Sequence, residues 1–349
     1  SINATANPVC GGDSVTFTAF PINPGTNPSY QWKVNATNAG MNNVVFIYSP
    51  GNGDSVTCTL TSSEPCTSGN PASSNPIIMI VVEAPEVTFT PCFDTITTTN
   101  AKPIKLKGGI PLNGTYSGPG VNSATGIWDP SSAGVGNQTI TYTYTNAALC
   151  TASAWQVFRV VAAPAVTCGD SFTDVRDNQV YPTLQIGSQC WFAANLNYGT
   201  EIPITTPQRD NCITEKYVGS AFSVPVSAFY QWEELMKYED TEEIQGLCPP
   251  EWHIPSENEW NTLFASWTNN AFAGAPLKYT GYSGFNAFLN GTGFFNQGWW
   301  FGDFAAFFWS STSHGPWKAW AHGMNEVDFS VSYYPSYRAN AFAVRCLRD

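Results

Sequence analysis

Short runs of alternating apolar and polar residues fill the first half of the chain, and this period-two pattern predicts β-strands rather than helices. Ser14–Ala19, Tyr30–Val34, Val44–Tyr48, Ser55–Leu60 and Ile77–Val81 are strands by alternation and β-branching, with clusters of Asn, Gly and Pro between them. Thr139–Tyr144 and Trp155–Val160 predict a hairpin further along. The segment Val81-Val82-Glu83-Ala84-Pro85-Glu86-Val87-Thr88 is echoed by Val160-Val161-Ala162-Ala163-Pro164-Ala165-Val166-Thr167. Each copy is a strand end, an Ala-Pro break and a new strand start; proline cannot continue a central strand, so both sites read as joints. The copies lie 79 residues apart (81 to 160), which sets a module size. Three domains are expected, at residues 1–83, 84–164 and 165–349.

The period changes in the third. Ala228–Tyr238 places Phe229, Trp232, Leu235 and Met236 on one side of an expected helix. A second helix is expected after Pro255, where Ser256 and Glu259 form a capping box and Trp260, Leu263, Phe264 and Trp267 make the apolar stripe. Glu257 and Glu259 read as helix-start chemistry that complements the dipole. Between Gly298 and Asn340 aromatic residues crowd together; Phe308, Trp309 and Trp320 sit in apolar runs and are read as core.

The chain has 349 residues, a net charge of −12 and only 11% charged residues, so its solubility rests on hydroxyls and amides. An acidic chain with one basic side chain, Lys33, in its first hundred residues is a poor match for nucleic acid or an anionic membrane surface. No stretch reaches the roughly 18 apolar residues of a membrane helix, so no membrane insertion is expected. The sequence starts at Ser1 without a signal-like segment and is read as a mature product. Ten cysteines without tight pairs of the zinc type point to disulfides in an oxidising compartment, hence to a secreted, extracellular or cell-surface protein. A bridge between Cys248 and Cys346 would tie the final strand to the entrance of a helix. Cys92 and Cys150 are the only thiols of the second module and are expected to pair. Cys58 is expected to pair with Cys10 or Cys66. Cys168, Cys190 and Cys212 remain unassigned, and the odd counts in the first and third domains allow a bridge between domains or molecules. Sequons at Asn3, Asn35, Asn113, Asn137 and Asn290, and Asp-Ser/Thr-aliphatic triplets at Asp13, Asp54 and Asp94, are candidate glycosylation sites.

Trp32 followed by Cys58 resembles the spacing of an immunoglobulin-like sandwich, although Phe17 stands where the partner cysteine would be. Both modules resemble the Ig/PKD-like repeats of Bacteroidetes surface proteins. In the third domain, Gln179–Gln185, Gln189-Cys190-Trp191, Asn195-Leu196-Asn197, Phe229–Trp232, Cys248 to Ser256, Phe308–Ser311 and the closing Phe342-Ala343-Val344-Arg345-Cys346 together resemble the Fibrobacter succinogenes major paralogous domain, over roughly residues 168–349. That resemblance implies an α+β, C-type-lectin-like fold. The fold class expected is therefore mainly β: two tandem Ig-like β-sandwiches followed by a C-type-lectin-like domain. Aligned on the family's ending, the positions that would face outward as a ligand-binding surface are His314, Trp317, His322, Asn325, Glu326, Asp328, Tyr333, Tyr334, Tyr337 and Arg338.

The same fold includes the formylglycine-generating enzymes, which need a reactive cysteine pair near the C-terminal core; only Cys346 is there. His253, His314 and His322 have no companions at metal-ligand spacing, and His253 reads as a buried hydrogen-bonding group. The triplets Glu-Pro-Asn and Trp-Asn-Asp of calcium-dependent lectins are missing, which argues against sugar binding of that kind. No catalytic residues, cofactor or metal are expected. The leading reading is a non-enzymatic adhesin, an Ig-like stalk presenting a head that binds a glycan or a surface protein. The alternative is a structural subunit that self-associates into an extracellular filament or sheath through strand edges and the aromatic C-terminal surface.

Overall fold

The structure, a computed structural model, describes residues 1–65, 68–219, 227–279, 281–294, 298–300 and 304–349. It is mainly β and divides into two compact units. The first comprises Ser1–Phe89, Gly109–Thr115 and Thr141–Trp155; the second comprises Thr90–Gly108, Tyr116–Ile140 and Gln156–Asp349. Residues 84–164 thus contribute to both units.

In the first unit, Val15–Ala19 runs between Ile2–Ala4 and Val45–Tyr48, antiparallel to each. Its alternation is clean: Val15, Phe17 and Ala19 are buried while Thr16 and Thr18 are not. A second sheet pairs Ser29–Val34 with Thr37–Ala39 and Ser55–Thr61. Phe17, Trp32, Phe46 and Val56 form the core, with Trp32 stacked on Phe46 at 5.6 Å and its indole N–H donating to the Asn43 carbonyl at 2.8 Å.

Cys58 sits opposite Trp32 in this sheet as a buried free thiol, whose pKa is pushed up by burial. The pairing of Cys58 with Cys10 is therefore corrected, and Cys66 lies outside the described residues. The Cys92–Cys150 pairing is corrected too. Val81–Val82 pairs in parallel with Val9–Cys10, and the Cys150 sulfur lies 3.9 Å from the Val82 carbonyl oxygen. That strand pair brings Cys150 to Cys10, and the bridge is Cys10–Cys150. Cys92 belongs to the second unit, where the next residue, Phe93, stacks on Phe158 at 5.0 Å; its partner is Cys212. Cys168–Cys190 and Cys248–Cys346 complete the bridges among the described residues.

The C-terminal part of the second unit is built on a five-stranded sheet, a six-stranded sheet and a three-stranded sheet. In the five-stranded sheet the last strand, Leu347–Arg348, lies between Gln189–Phe192 and Trp252–His253, so residues about 150 positions apart close the domain. Ala228–Tyr238 is not the expected helix. Ser227–Gln231 is a strand between Glu215–Gly219 and Asn340–Phe342, and only Trp232–Leu235 is helical. All five residues of that strand are buried, so it has no wet side for a helix to turn outward, and pairing on both edges decides the matter. Helix Glu257–Ala265 forms as expected, with a complete capping box and Trp260, Leu263 and Phe264 buried.

Two charged clusters hold this unit. Arg345 is fully buried; it donates to the Asn195 side chain at 2.7 Å, to the Phe192 carbonyl at 3.0 Å, and to the carbonyls of Phe285 and Asn286. Its guanidinium lies 4.5 Å from the Phe285 ring centre. Arg176, equally enclosed, binds Asp174, Asp94 and the Leu247 carbonyl, and the Tyr198 hydroxyl donates to Asp94. Replacing Arg345 with Met leaves several buried acceptors unmet, and we expect it to cost about 3 kcal/mol or more, read as the shift in the urea unfolding curve.

His253, itself buried, makes two hydrogen bonds, to Asp349 at 2.7 Å and Glu259 at 2.9 Å. Burial alone would lower its pKa; the two carboxylates outweigh that and raise it. A raised folded-state value stabilises the fold fully below the ordinary histidine range, about pH 6.5, and is lost as pH rises through the folded value. His253→Gln should therefore cost more stability at pH 5.5 than at pH 8.5, measured by urea midpoints at each; equal losses would refute the assignment.

Candidate functional site

The three-stranded sheet of Ala305–Ser313, Lys318–Asn325 and Ser332–Tyr337 sets the geometry. Phe308 lies opposite His322, which lies opposite Tyr333; one position along, Trp309 lies opposite Ala321 and Tyr334. Side chains alternate across a sheet, so these two rows point to opposite faces. The row of Trp309 and Ala321 joins the core, with Trp309 against Phe342 at 4.4 Å. On the other face, Phe308 and His322 lie under helix Glu257–Ala265, within 5.8 Å and 4.8 Å of the Trp260 ring.

Beyond the helix this same face is open. Lys318, Trp320, Tyr333, Pro335 and Tyr337 follow from the register. Tyr333 and Tyr337 are 54% and 60% exposed and Trp320 is half-buried. Trp320 is 6.0 Å from Tyr333, His314 meets Trp320 edge-on at 5.1 Å, and the Lys318 ammonium lies 4.8 Å over the Tyr337 ring. Beside Tyr333 opens a cleft of about 300 Å³ lined by Glu257, Asn261, Phe264, Thr268, Asn269 and Asn270. An aromatic platform of tilted rings thus adjoins a pocket of amides and one carboxylate, on a sheet whose reverse joins the core.

The expected outward-facing residues divide. His314, Trp317, Tyr333 and Tyr337 are exposed on or next to the platform, Trp317 at 76%. His322 is not a surface residue: it is fully buried between Trp260 and Phe264, 2.9 Å from the Glu257 carboxylate without hydrogen-bond alignment. The helix covers its end of the sheet, which the strand pattern alone does not reveal. Arg338 is buried too, its guanidinium 4.0 Å over the Trp232 ring and bound to Glu233, Asp240 and the Gly315 carbonyl. It fastens the turn that carries Trp317. Tyr334 points to the core face and is half-buried, which pushes its hydroxyl pKa up.

Asn325, Glu326 and Asp328 lie at the other end of the central strand from His314 and Trp317 and do not join the platform. Their loop is shaped from within. The Asn325 side-chain oxygen accepts from the amides of Val327 and Asp328, and the Lys278 ammonium donates to the carbonyls of Asn325, Glu326 and Asp328 at 2.9, 3.3 and 2.8 Å. Trp320, read from the sequence as core, is instead half-buried in the open row; Glu257 stands in the first helical turn as expected but also lines the cleft, and the cleft asparagines were not singled out. The period-two spacing from Lys318 puts Trp320 in the open row, but nothing in the sequence says where the helix stops covering it. Lys278→Met should release this loop; amide exchange at residues 326–329 is expected to speed up about tenfold or more, as a clamp worth 1–3 kcal/mol is lost, with the platform unchanged.

Residues 184–348 match the family model described as the Fibrobacter succinogenes major domain. No curated protein matches the sequence. Among solved structures, the chain is similar to a calcium-stabilised adhesin with which an Antarctic bacterium reaches out and binds ice, at 15% identity over 55% of this chain and TM-score 0.27. The match covers 61% of the length of that adhesin chain. It is also similar to three N-terminal domains of the bacteriophage RB49 highly immunogenic outer capsid protein, at 12% identity over 98% of this chain and 97% of that one, TM-score 0.27. Neither likeness is strong enough to bear on fold or function.

Proposed function

We propose that the protein, whose residues 184–348 match the Fibrobacter succinogenes major domain, is a secreted, non-enzymatic adhesin whose C-terminal domain binds a surface glycan through the Trp320–Tyr333 platform and the adjoining cleft. The observation that carries this is an exposed, preorganised aromatic face. Rigid Trp and Tyr side chains give contact area at low entropic cost, and the amides beside them suit a ligand rich in hydroxyls. The N-terminal modules act as the stalk. Bridges closing separations of 140, 120 and 98 residues suit an oxidising, extracellular setting. A formylglycine-type enzyme would require a reactive cysteine pair near the C-terminal core; the one cysteine expected there, Cys346, is bonded to Cys248, which supports the non-enzymatic reading.

The filament alternative drew on odd cysteine counts, low charge and strand edges. Cys10–Cys150 and Cys92–Cys212 join cysteines of different expected domains within one chain, so among the described residues the counts call for no bridge between molecules. A glycan array probed with the whole chain tests the proposal. Trp320→Ala and Tyr333→Ala should each weaken binding about tenfold or more, the scale of losing one aromatic anchor, with the melting temperature nearly unchanged. Binding that survives both changes, or a protein ligand captured through this face in place of a glycan, would overturn it.

A further inference from the structure

A second cleft in the C-terminal unit is unlike the aromatic face. It is a cavity of about 120 Å³, room for on the order of ten water-sized groups. Its walls combine apolar side chains, among them Phe93, Ile104, Ile213 and Ile244, with Lys102, Lys105, Lys107, Arg209 and Lys237. In a chain with 14 basic residues and a net charge of −12, five of the 14 line this one cavity.

The acidic groups in the same wall are largely engaged. Asp94 is held by Arg176 and Tyr198, and Glu239 lies 3.8 Å from Lys107. Lys102 is paired with Asp349 at 2.9 Å. Among the described residues, no carboxylate comes within ion-pair distance of Lys237 or Arg209. The Lys237 ammonium has one hydrogen bond, to the Thr214 hydroxyl at 2.6 Å. Burial pushes the Glu234 carboxyl up, and its two oxygens accept from the Glu215 amide and the Tyr238 hydroxyl. Asp210, exposed, remains as the opposing carboxylate.

Two further observations point to an occupant. Thr97 is 3% exposed and its hydroxyl has no partner; the side-chain oxygen of Gln245 is buried without one. Both residues line this cavity. Lys237 and Tyr238 also hold left-handed backbone angles, φ 53° and 60°, the kind of strain that persists where the surrounding structure over-determines a site.

We propose that this cavity is a binding site for a small organic carboxylate with an apolar body and a hydrogen-bond donor. The carboxylate pairs with Lys237, the body packs on the isoleucines, and the donor meets the Gln245 oxygen. The site is separate from the platform residues, so its occupancy does not depend on glycan binding.

The test uses the full chain and 4-hydroxybenzoate, a carboxylate of about ten non-hydrogen atoms, which fits the room available. Its neutral methyl ester serves as the control. Calorimetry and saturation-transfer NMR should show saturable binding of the acid, with the ester about tenfold weaker or more, as expected for losing one charge-assisted hydrogen bond. Lys237→Met and the more exposed Arg209→Gln should both weaken the acid, and Gln245→Leu should remove the preference for 4-hydroxybenzoate over benzoate. Near-UV circular dichroism checks that each variant is folded, and Tyr333→Ala should bind the acid like the parent. Equal binding of acid and ester, an Arg209→Gln and Lys237→Met pair that both bind like the parent, or no saturable binding of the acid would each overturn the proposal.

Discussion

Arg345 carries a full charge into the centre of the C-terminal domain and meets carbonyl oxygens and aromatic faces there, without an ion-pair partner among the described residues. Burial draws its pKa down to about 9, still charged near neutrality. A buried cation is tolerable only if its donors are satisfied, so the backbone at Phe192, Phe285 and Asn286 is held wherever Arg345 needs an acceptor. Those acceptors lie on segments distant in sequence. The adjacent Cys346–Cys248 bridge and the pairing of Leu347 with Trp191 and His253 are placed by the same closing stretch. The sheet that presents the aromatic platform packs on this closed core.

The scarce charges of this protein are spent inward. Arg176 joins Asp174 and Asp94, Arg338 fastens the turn beneath Trp317, and Lys278 gathers three carbonyls of the loop at Asn325. Each cation stiffens irregular backbone that hydrogen-bonded ladders do not reach. The exposed face is left to aromatic rings and amides, which bind by contact area and short-range hydrogen bonds and not by long-range attraction. A chain of this net charge gains little steering towards acidic partners, and its selectivity must come from shape.

The disulfides follow a similar logic. The Cys10–Cys150 bridge lies where two short strands pair in parallel, a contact with no local signature. Cysteine counting within expected modules put Cys150 with Cys92 and left odd thiols over. Pairing by distance in space resolves the count, apart from the buried Cys58 and from Cys66, outside the described residues.

The sequence by itself determined the mainly β character, through period-two alternation in strands such as Val15–Ala19, and the helix at Glu257–Ala265, through its capping box. The family resemblance of the C-terminal domain was legible as well, because its motifs are local strings such as Phe342 to Cys346. These are short-range properties, written into neighbouring residues. Tertiary structure alone decided that Ser227–Gln231 is a strand, that His322 and Arg338 are buried, and that Trp320 is left half-buried beside the exposed Tyr333. Each of those outcomes depends on which distant element covers a face, whether the Glu257–Ala265 helix over His322 or the strand edges beside Phe229. Periodicity shows that a residue has a dry side and a wet side; only the packed neighbours decide which sides stay wet.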